Sequence, residues 1–145
     1  MTFASQKDIK AMQTGIDNFN LAASDKQTFD DFFRCINLCH DCISLKDERP
    51  GNADCLVYNG PSVDEVCLLE MARDTGIGSF YSRNSEFVKI KVGTKFEEYG
   101  IIKIFPFTSE RKAMSIVLVH PSKPGKALCF VKGADSSVFP MCLGY

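Results

Sequence analysis

Apolar side chains recur every three or four residues in one early part of the chain. Ser24 and Gln27 form a capping box, and a periodic set comes after it: Phe29, Phe32, Phe33, Ile36, Cys39, His40 and Ile43. This spacing predicts an amphipathic helix that begins at Ser24 and ends near Leu45. The polar residues 46–54 then predict a loop, and the apolar stretch Cys55–Tyr58 predicts a short strand.

A second capping box, Ser62 with Glu65, predicts a short helix that ends around the pair Thr75 and Gly76. The glycine-containing stretch GIGSF, residues 76–80, predicts a loop. After it the apolar period becomes two, which indicates strands. The four predicted strands are Phe87–Val92, Tyr99–Phe105, Met114–His120 and Ala127–Lys132.

Short links marked by glycine and proline join these strands, which favours antiparallel hairpins over parallel crossovers. We therefore predict an α+β fold, an antiparallel β-sheet flanked by helices that come mostly from the first half of the chain. The chain has 145 residues, of which 45% are hydrophobic, so it has the size of one domain with one core, residues 1–145.

Charge and cysteine usage exclude several classes of protein. The formal net charge is −1, so there is no basic field for nucleic acid or for an anionic membrane. No apolar run approaches the roughly 20 residues needed to cross a bilayer, and we expect a soluble chain. Seven cysteines, an odd number, lie within apolar periodic segments, which is typical of reduced thiols packed in a cytosolic protein.

The stretch LCHDC, residues 38–42, contains a Cys-x-x-Cys pair. A structural zinc site usually needs a second such pair, which the sequence does not contain. Cys39 and Cys42 instead fit one face of the predicted helix, as core residues. Nothing in the sequence pairs His40 or His120 with a nucleophile, so we predict no catalytic and no metal-ligating residue. A thiol or zinc protein built on this pair is the least favoured alternative.

Two segments point to a binding site: FPFTSERKAMS, residues 105–115, and VKGAD, residues 131–135. If their strands are neighbours, Phe107, Lys112 and Lys132 would line one pocket. An aromatic ring beside two ammonium groups suits a purine nucleotide, because the ring stacks on the base and the charges face the phosphates. Gly133 would let the ligand approach the backbone closely. A core phenylalanine and a solvated basic turn explain the same residues without a ligand.

Five stretches carry a resemblance to a known family. FTSERKAMS and VKGADSS, roughly twenty residues apart, resemble the two signature stretches of the nucleotide-binding (N) domain of P-type ATPases, and most closely those of the type-four subclass, the phospholipid flippases. NGPSVDEVCLL resembles that family's Ser-Pro-Asp-Glu helix start, and NLCHDC resembles its Leu-x-x-Cys-His-Thr segment. The opening MTF is similar to the residues directly after the family's phosphorylation motif.

The resemblance implies that ATP binds here. Phe107 would stack on adenine, Lys132 would lie at the floor of the pocket near base and ribose, and Met114 would pack beside the base. Glu65 would accept a hydrogen bond from the adenine amino group, although its place in a capping box explains it equally well.

The same resemblance implies a phosphate end of the site. Lys112 would face the α-phosphate, and Ser109 replaces a family residue that reaches toward the nucleotide. Gly133 and Ala134 complete the implied binding set, as part of the Lys-Gly-Ala-Asp motif.

The resemblance also implies a larger parent protein. The chain would be an excised, C-terminally shortened piece of a multi-pass membrane ATPase that moves phospholipid, lying at the cytosolic face and monomeric by itself. The parent would use Mg²⁺ and would contain phosphorylation and actuator domains, with a possible accessory subunit. The fragment alone would hold ATP and would not hydrolyse it.

Three residues depart from the family pattern. Val63 replaces a proline, Ala113 replaces a basic residue, and Pro140 interrupts the helix expected after the Lys-Gly-Ala-Asp motif. The chain also ends at Tyr145, before a family arginine that contacts the phosphates. A degenerate, non-catalytic regulatory module is therefore the main alternative, and ATP titration distinguishes the two.

Overall fold

The fold combines helices with two antiparallel sheets. The structure, a computed structural model, describes residues 23–47, 55–122 and 125–142. The helices are α1 (Ala23–Leu38), α2 (Val63–Asp74) and the short α3 (Asp135–Val138), with a 3₁₀ turn after it at Phe139–Met141. The strands are β1 (Ile43–Lys46), β2 (Leu56–Asn59), β3 (Gly78–Arg83), β4 (Phe87–Val92), β5 (Lys95–Phe105), β6 (Ala113–Val119) and β7 (Ala127–Gly133).

The main sheet is an antiparallel meander in the order β3-β4-β5-β6-β7, and β1 pairs with β2 in a separate ribbon. Every strand in both sheets is antiparallel to its neighbour, as the short links predict. All four predicted strands are present, and β5 begins four residues earlier than predicted, at Lys95.

The core lies between α1, α2 and one face of the main sheet. Strand β6 contributes the buried alternate residues Met114, Ile116 and Leu118. The helices contribute further buried side chains, among them Phe33, Ile36, Leu69 and Ala72. This arrangement confirms the predicted α+β fold, with helices from the first half of the chain covering the sheet.

The prediction that α1 continues to Leu45 is wrong, because the helix ends at Leu38 and the chain reverses. The His40 ring caps this reversal: its Nε2 lies 3.1 Å from the Asn37 carbonyl, and its Nδ1 lies 3.0 Å from the backbone nitrogen of Cys42. Since the Cys42 N–H can only donate, Nδ1 accepts and Nε2 carries the proton. Apolar spacing could not reveal this cap.

Cys39 and Cys42 therefore do not share a helix face, but both are fully buried in the core. The loop prediction for GIGSF is also wrong, because Gly78 begins the edge strand β3. A Cβ on Gly78 would lie 3.2 Å from the Lys91 carbonyl oxygen, so glycine fits here through close strand packing. That contact depends on a partner strand thirteen residues away in sequence.

Strands β6 and β7 approach each other most closely at Gly133. A Cβ there would collide with the Lys112 carbonyl oxygen and would lie 2.6 Å from the Cα of Ala113. Real Cβ atoms do not come this close to backbone atoms, so the strands would have to separate. Packing between strands is thus sufficient to require glycine at this position, without any ligand.

We predict that Gly133→Ala destabilises the fold by about 1–3 kcal/mol, because the added carbon overpacks a rigid backbone contact. Gly100→Ala is the matched control, since a Cβ at this β5 glycine meets Val119 at an ordinary 3.5 Å. Urea unfolding followed by circular dichroism measures both variants. Equal unfolding free energies would contradict the prediction.

Candidate functional site

An ion pair between Lys132 on β7 and Glu65 on α2 forms the centre of the candidate site. The Lys132 Nζ lies 2.8 Å from Glu65 Oε1, and the two side chains are 25% and 14% exposed. Glu65 Oε2 accepts the backbone N–H of Asp41 at 3.0 Å. The carboxylate thus joins the sheet, helix α2 and the turn after α1.

The second capping box is only half formed. The Ser62 hydroxyl accepts the backbone N–H of Glu65 at 3.4 Å and caps α2, as predicted. The Glu65 carboxylate, however, bonds Lys132 and Asp41 and does not return to the Ser62 backbone. The reciprocal half of the capping box is therefore not formed, and the Glu65 carboxylate instead joins the helix start to β7 and to the turn after α1.

Burial by itself would raise the pKa of Glu65, but hydrogen bonds from Lys132 and from the Asp41 backbone outweigh it and hold this pKa below its usual range. The group is therefore ionised at neutral pH. Each of its oxygens has a second lone pair, and the Lys132 ammonium has two further N–H donors. The pair can consequently offer both an acceptor and a donor to a ligand.

Met114 lies directly across the ladder from Lys132 in the β6–β7 register. Directly opposed residues share a face of the sheet, and Lys132 reaches α2, so both side chains are on the helix-covered face. Met114 is 1% exposed. Its side chain therefore belongs to the buried core, on the same face of the sheet as the ion pair.

The connection 106–112 brings Lys112 to the same end of the sheet. Its backbone N–H donates to the Thr108 carbonyl at 2.8 Å, and its own carbonyl accepts the Ala134 N–H at 2.9 Å. Lys112 has a left-handed φ of 49°, a conformation that costs a lysine about 1 kcal/mol. Lys112, Gly133 and Ala134 are thus held together, with the lysine side chain exposed.

Phe107 and Ser109 also lie in this connection, and both are exposed, Phe107 by 56%. The prediction that neighbouring strands bring Phe107 to Lys132 is wrong, because β6 separates β5 from β7. The start of β6 pairs with the end of β7, and this pairing brings Lys112 and Met114 close to Lys132 and Gly133. The Phe107 ring is presented by a connection that leaves the end of β5.

Arg111 has a role in this region that the sequence motifs did not indicate. Its guanidinium donates to the Ser115 hydroxyl at 2.8 Å and lies 5.7 Å from the centre of the Phe105 ring. These contacts fold the connection back onto the strand ends, so Arg111 positions the segment that carries Phe107. The pairing of Phe105 with Ser115 could not be read from the sequence, because it depends on strand register.

Comparison with known protein families tests the resemblance that the sequence motifs carry. The family model described as the cytoplasmic domain N of P-type ATPases matches residues 28–144, which include all eight candidate site residues. The chain belongs to the P-type ATPase N-domain family. The resemblance carried by the sequence motifs is thereby confirmed.

Curated relatives of this N domain are phospholipid-transporting ATPases. The chain is 30% identical over 141 residues, 97% of its length, to phospholipid-transporting ATPase C4F10.16c of Schizosaccharomyces pombe. It is 33% identical over 115 residues, 74% of its length, to the probable phospholipid-transporting ATPase DNF3 of Saccharomyces cerevisiae. It spans only 9% and 7% of the length of these two proteins.

The departures from the family pattern have local structural explanations. Val63 is the first residue of α2 and is 77% exposed, so the helix begins there without a proline. Ala113 is fully buried against Gly133, where a long basic chain would not fit. Pro140 lies in the 3₁₀ turn, and α3 ends at Val138, as the proline predicts.

Membrane-spanning and metal-binding features are absent from residues 23–47, 55–122 and 125–142. Within these ranges no helix is long and apolar enough to cross a membrane. Nor do the same ranges group three His, Cys, Asp or Glu side chains so that they could hold a metal ion. All seven cysteines lie in these ranges and are free thiols.

The backbone N–H of Asp41, which binds the Glu65 carboxylate, lies in a turn that requires a neutral His40 ring. Burial, together with the charge of Arg83, lowers the pKa of His40 to about 3. The pKa of His40 is lower in the folded protein than the value near 6.5 expected in the unfolded chain. The neutral ring therefore stabilises the fold fully above about pH 6.5, and this stabilisation is lost as the pH falls from about 6.5 toward 3.

We predict that NMR signals of the His40 ring do not titrate between about pH 7.5 and about pH 5, because its imidazole is buried with both nitrogens paired. The free energy of unfolding should fall by up to about 2 kcal/mol over this range on account of His40. His40→Gln lacks this component and serves as the control in urea unfolding. A His40 midpoint above about pH 5.5 would refute the prediction.

Proposed function

We propose that this N domain binds ATP at the end of the β6–β7 ladder. Phe107 would stack on the adenine, Lys132 and Glu65 would contact its polar edge and the ribose, and Met114 would form the apolar floor. The observation that carries this proposal is the convergence of Glu65, Met114 and Lys132 on one face of the sheet.

The ion pair fits the base because it keeps unused hydrogen-bonding capacity. The adenine amino group is a donor, and Glu65 retains acceptor positions for it. The ring nitrogens of adenine are acceptors, and Lys132 retains two donors. A pair that exposes 25% and 14% of its side chains is open enough to be reached by a ligand.

The phosphates would lie toward Lys112, whose side chain is exposed and whose carbonyl accepts the Ala134 N–H at 2.9 Å. Ser109 would offer a hydroxyl from the same connection. Any Mg²⁺ would come with the nucleotide and would be held by phosphate oxygens and by groups outside this chain.

We also propose that the chain, residues 1–145, is one nucleotide-binding domain of a longer phospholipid-transporting ATPase. The names of the relatives support this, together with the small share of their length that the chain spans. In the parent the N domain would present ATP to a phosphorylation domain, where an aspartate attacks the γ-phosphate. An actuator domain, a possible accessory subunit and a position at the cytosolic face of the membrane belong to the same proposal, as does a monomeric state for the isolated chain.

One observation favours the second candidate, a regulatory module that does not bind nucleotide. Lys132 and Glu65 already satisfy each other, so a nucleotide must rearrange an ion pair before it gains new bonds. This cost lowers affinity without blocking the site, and titration with ATP separates the two candidates.

We predict weak ATP binding. One stacked base contributes about 1–3 kcal/mol and each exposed lysine about 0–1 kcal/mol. Together with the contacts to Glu65, a total of about 3–6 kcal/mol corresponds to a dissociation constant on the order of 0.1 mM to several mM. Titration of the labelled chain with ATP, followed by NMR, should shift the amide signals of Phe107, Lys112 and Lys132.

Phe107→Ala should abolish these shifts, because it removes the stacking surface. Phe96→Ala is the matched control, since Phe96 is exposed to a similar extent, 51%, and lies at the start of β5. If about 10 mM ATP leaves the wild-type spectrum unchanged, the regulatory module is preferred. If both variants bind ATP equally, the nucleotide binds elsewhere on the domain and the proposed site is wrong.

Lys112→Gly tests the phosphate contact without straining the backbone. Glycine adopts the φ of 49° freely, so the variant should be at least as stable as the wild type. ATP should bind it up to about fivefold more weakly, and adenosine should bind equally to both proteins. An equal loss of affinity for adenosine would show that Lys112 does not act on the phosphates.

A further inference from the structure

A second cavity lies beside the edge strand β3. Its volume is about 570 Å³, within the range of about 300–1,000 Å³ that is typical of small-molecule sites. Residues of the β1–β2 ribbon, the end of α2, β3 and the β4–β5 hairpin line it. None of the described residues in its lining belongs to the eight of the candidate nucleotide site, so the two sites are separate.

The charged groups that line this cavity are mostly positive. They are the ammonium groups of Lys46 and Lys91, the guanidinium of Arg73 and one carboxylate, that of Asp74. The lining thus has a net charge of +2, in a chain whose formal net charge is −1. The Asp74 carboxylate lies 2.7 Å from the Arg73 Nε and compensates that cation. No carboxylate of the described residues pairs with Lys46 or Lys91, so their charge is available to a ligand.

Arg73 is held in place and still has donors to offer. Its guanidinium lies 5.7 Å from the centre of the Tyr58 ring, and its Nη1 donates to the Leu56 carbonyl. Together with the bond from Nε to Asp74, the hydrogen bonds to described residues use two of its five N–H groups. A planar guanidinium fixed in this way can bind a phosphate through two parallel hydrogen bonds.

Strand register brings a hydroxyl and an aromatic ring to the same cavity. Lys91 lies directly opposite Ser79 on β3 and Phe96 on β5, so these three side chains share one face of the sheet. The centre of the Phe96 ring lies 4.7 Å from the Lys89 Nζ and 6.0 Å from the Lys91 Nζ. The ring therefore holds the ammonium groups, and Ser79 adds a hydroxyl donor beside Lys91.

We propose that this cavity binds a small phosphate monoester. The phosphate group accepts hydrogen bonds from the Arg73 guanidinium and the Ser79 hydroxyl. The ammonium groups of Lys46 and Lys91 compensate its charge, which for a monoester is about −1.5 to −2 at pH 7 and matches the net charge of the lining.

The size of the cavity favours an ester over inorganic phosphate. A phosphate ion occupies the space of only a few water molecules, of about 30 Å³ each, so it fills a small part of 570 Å³. The organic part of an ester can occupy the remainder, beside the half-buried Leu56 and the exposed Tyr81. The proposal does not depend on ATP binding, because the nucleotide site is built from other residues.

The test titrates the labelled chain with glucose 6-phosphate, inorganic phosphate and glucose at constant ionic strength, followed by NMR. Glucose 6-phosphate, at up to about 20 mM, should shift the signals of the Arg73 Nε–H group and of the Ser79 and Lys91 amides. Glucose should shift none of them, because it has no charge. Inorganic phosphate should bind at least about threefold more weakly than the ester, because it leaves most of the cavity unfilled.

Variants locate the bound phosphate. Lys91→Met should weaken binding of glucose 6-phosphate by about two- to fivefold, because it removes one ammonium group from the lining. Lys103→Met is the matched control and should bind like the wild type, since Lys103 is an exposed lysine on β5 that does not line the cavity. Arg73→Lys keeps the charge but loses the planar pair of donors, and should bind about tenfold more weakly or worse.

The Lys112→Gly variant separates this site from the nucleotide site. It should bind glucose 6-phosphate like the wild type, and a loss of affinity in this variant would place the phosphate at the nucleotide site and overturn the proposal. Absence of shifts at Arg73, Ser79 and Lys91 would overturn it too, as would equal affinities of the Lys91→Met and Lys103→Met variants.

Equal binding of inorganic phosphate and glucose 6-phosphate would overturn the assignment to an ester and identify free phosphate as the ligand. Should Arg73→Lys fail to fold, the comparison of Lys91→Met with Lys103→Met still decides, because both lysines are exposed on strands of the main sheet.

Discussion

The register between β6 and β7 is the constraint on which the rest of the site depends. It places Met114 opposite Lys132 and Ala113 opposite Gly133. A slip of one residue would turn Lys132 to the other face of the sheet, away from α2, and would remove the ion pair with Glu65. The close approach at Gly133 holds this register, because no larger residue fits against the Lys112 and Ala113 backbone.

The ion pair then joins elements that are far apart in sequence. Breaking a largely buried pair by removing one partner is costly, since the other charge stays behind without compensation. Here the cost is limited because Glu65 also accepts a backbone bond from Asp41, in a turn fixed by the neutral His40 ring. The rigid part of the site is therefore built on strands, a helix and one capped turn, while Phe107 is presented by a connection.

The sequence by itself determined the strands of the main sheet, the helix α2 with its Ser62 cap, the α+β class and the family, since alternation and local motifs are short-range signals. Eight candidate residues were also named from motifs alone, and six of them, Glu65, Lys112, Met114, Lys132, Gly133 and Ala134, come together. The sequence misplaced the end of α1 and missed β1 and β3, where the deciding contacts are the His40 cap and pairing with distant strands.

Only the tertiary structure decided which side chains meet. Strand order placed β6 between β5 and β7, so Phe107 does not face Lys132 from a neighbouring strand. Helix packing turned Glu65 from a local cap into the partner of Lys132, sixty-seven residues away. The sequence could not predict these contacts, because register, strand order and ion pairing are set by contacts between distant segments. No local pattern encodes them.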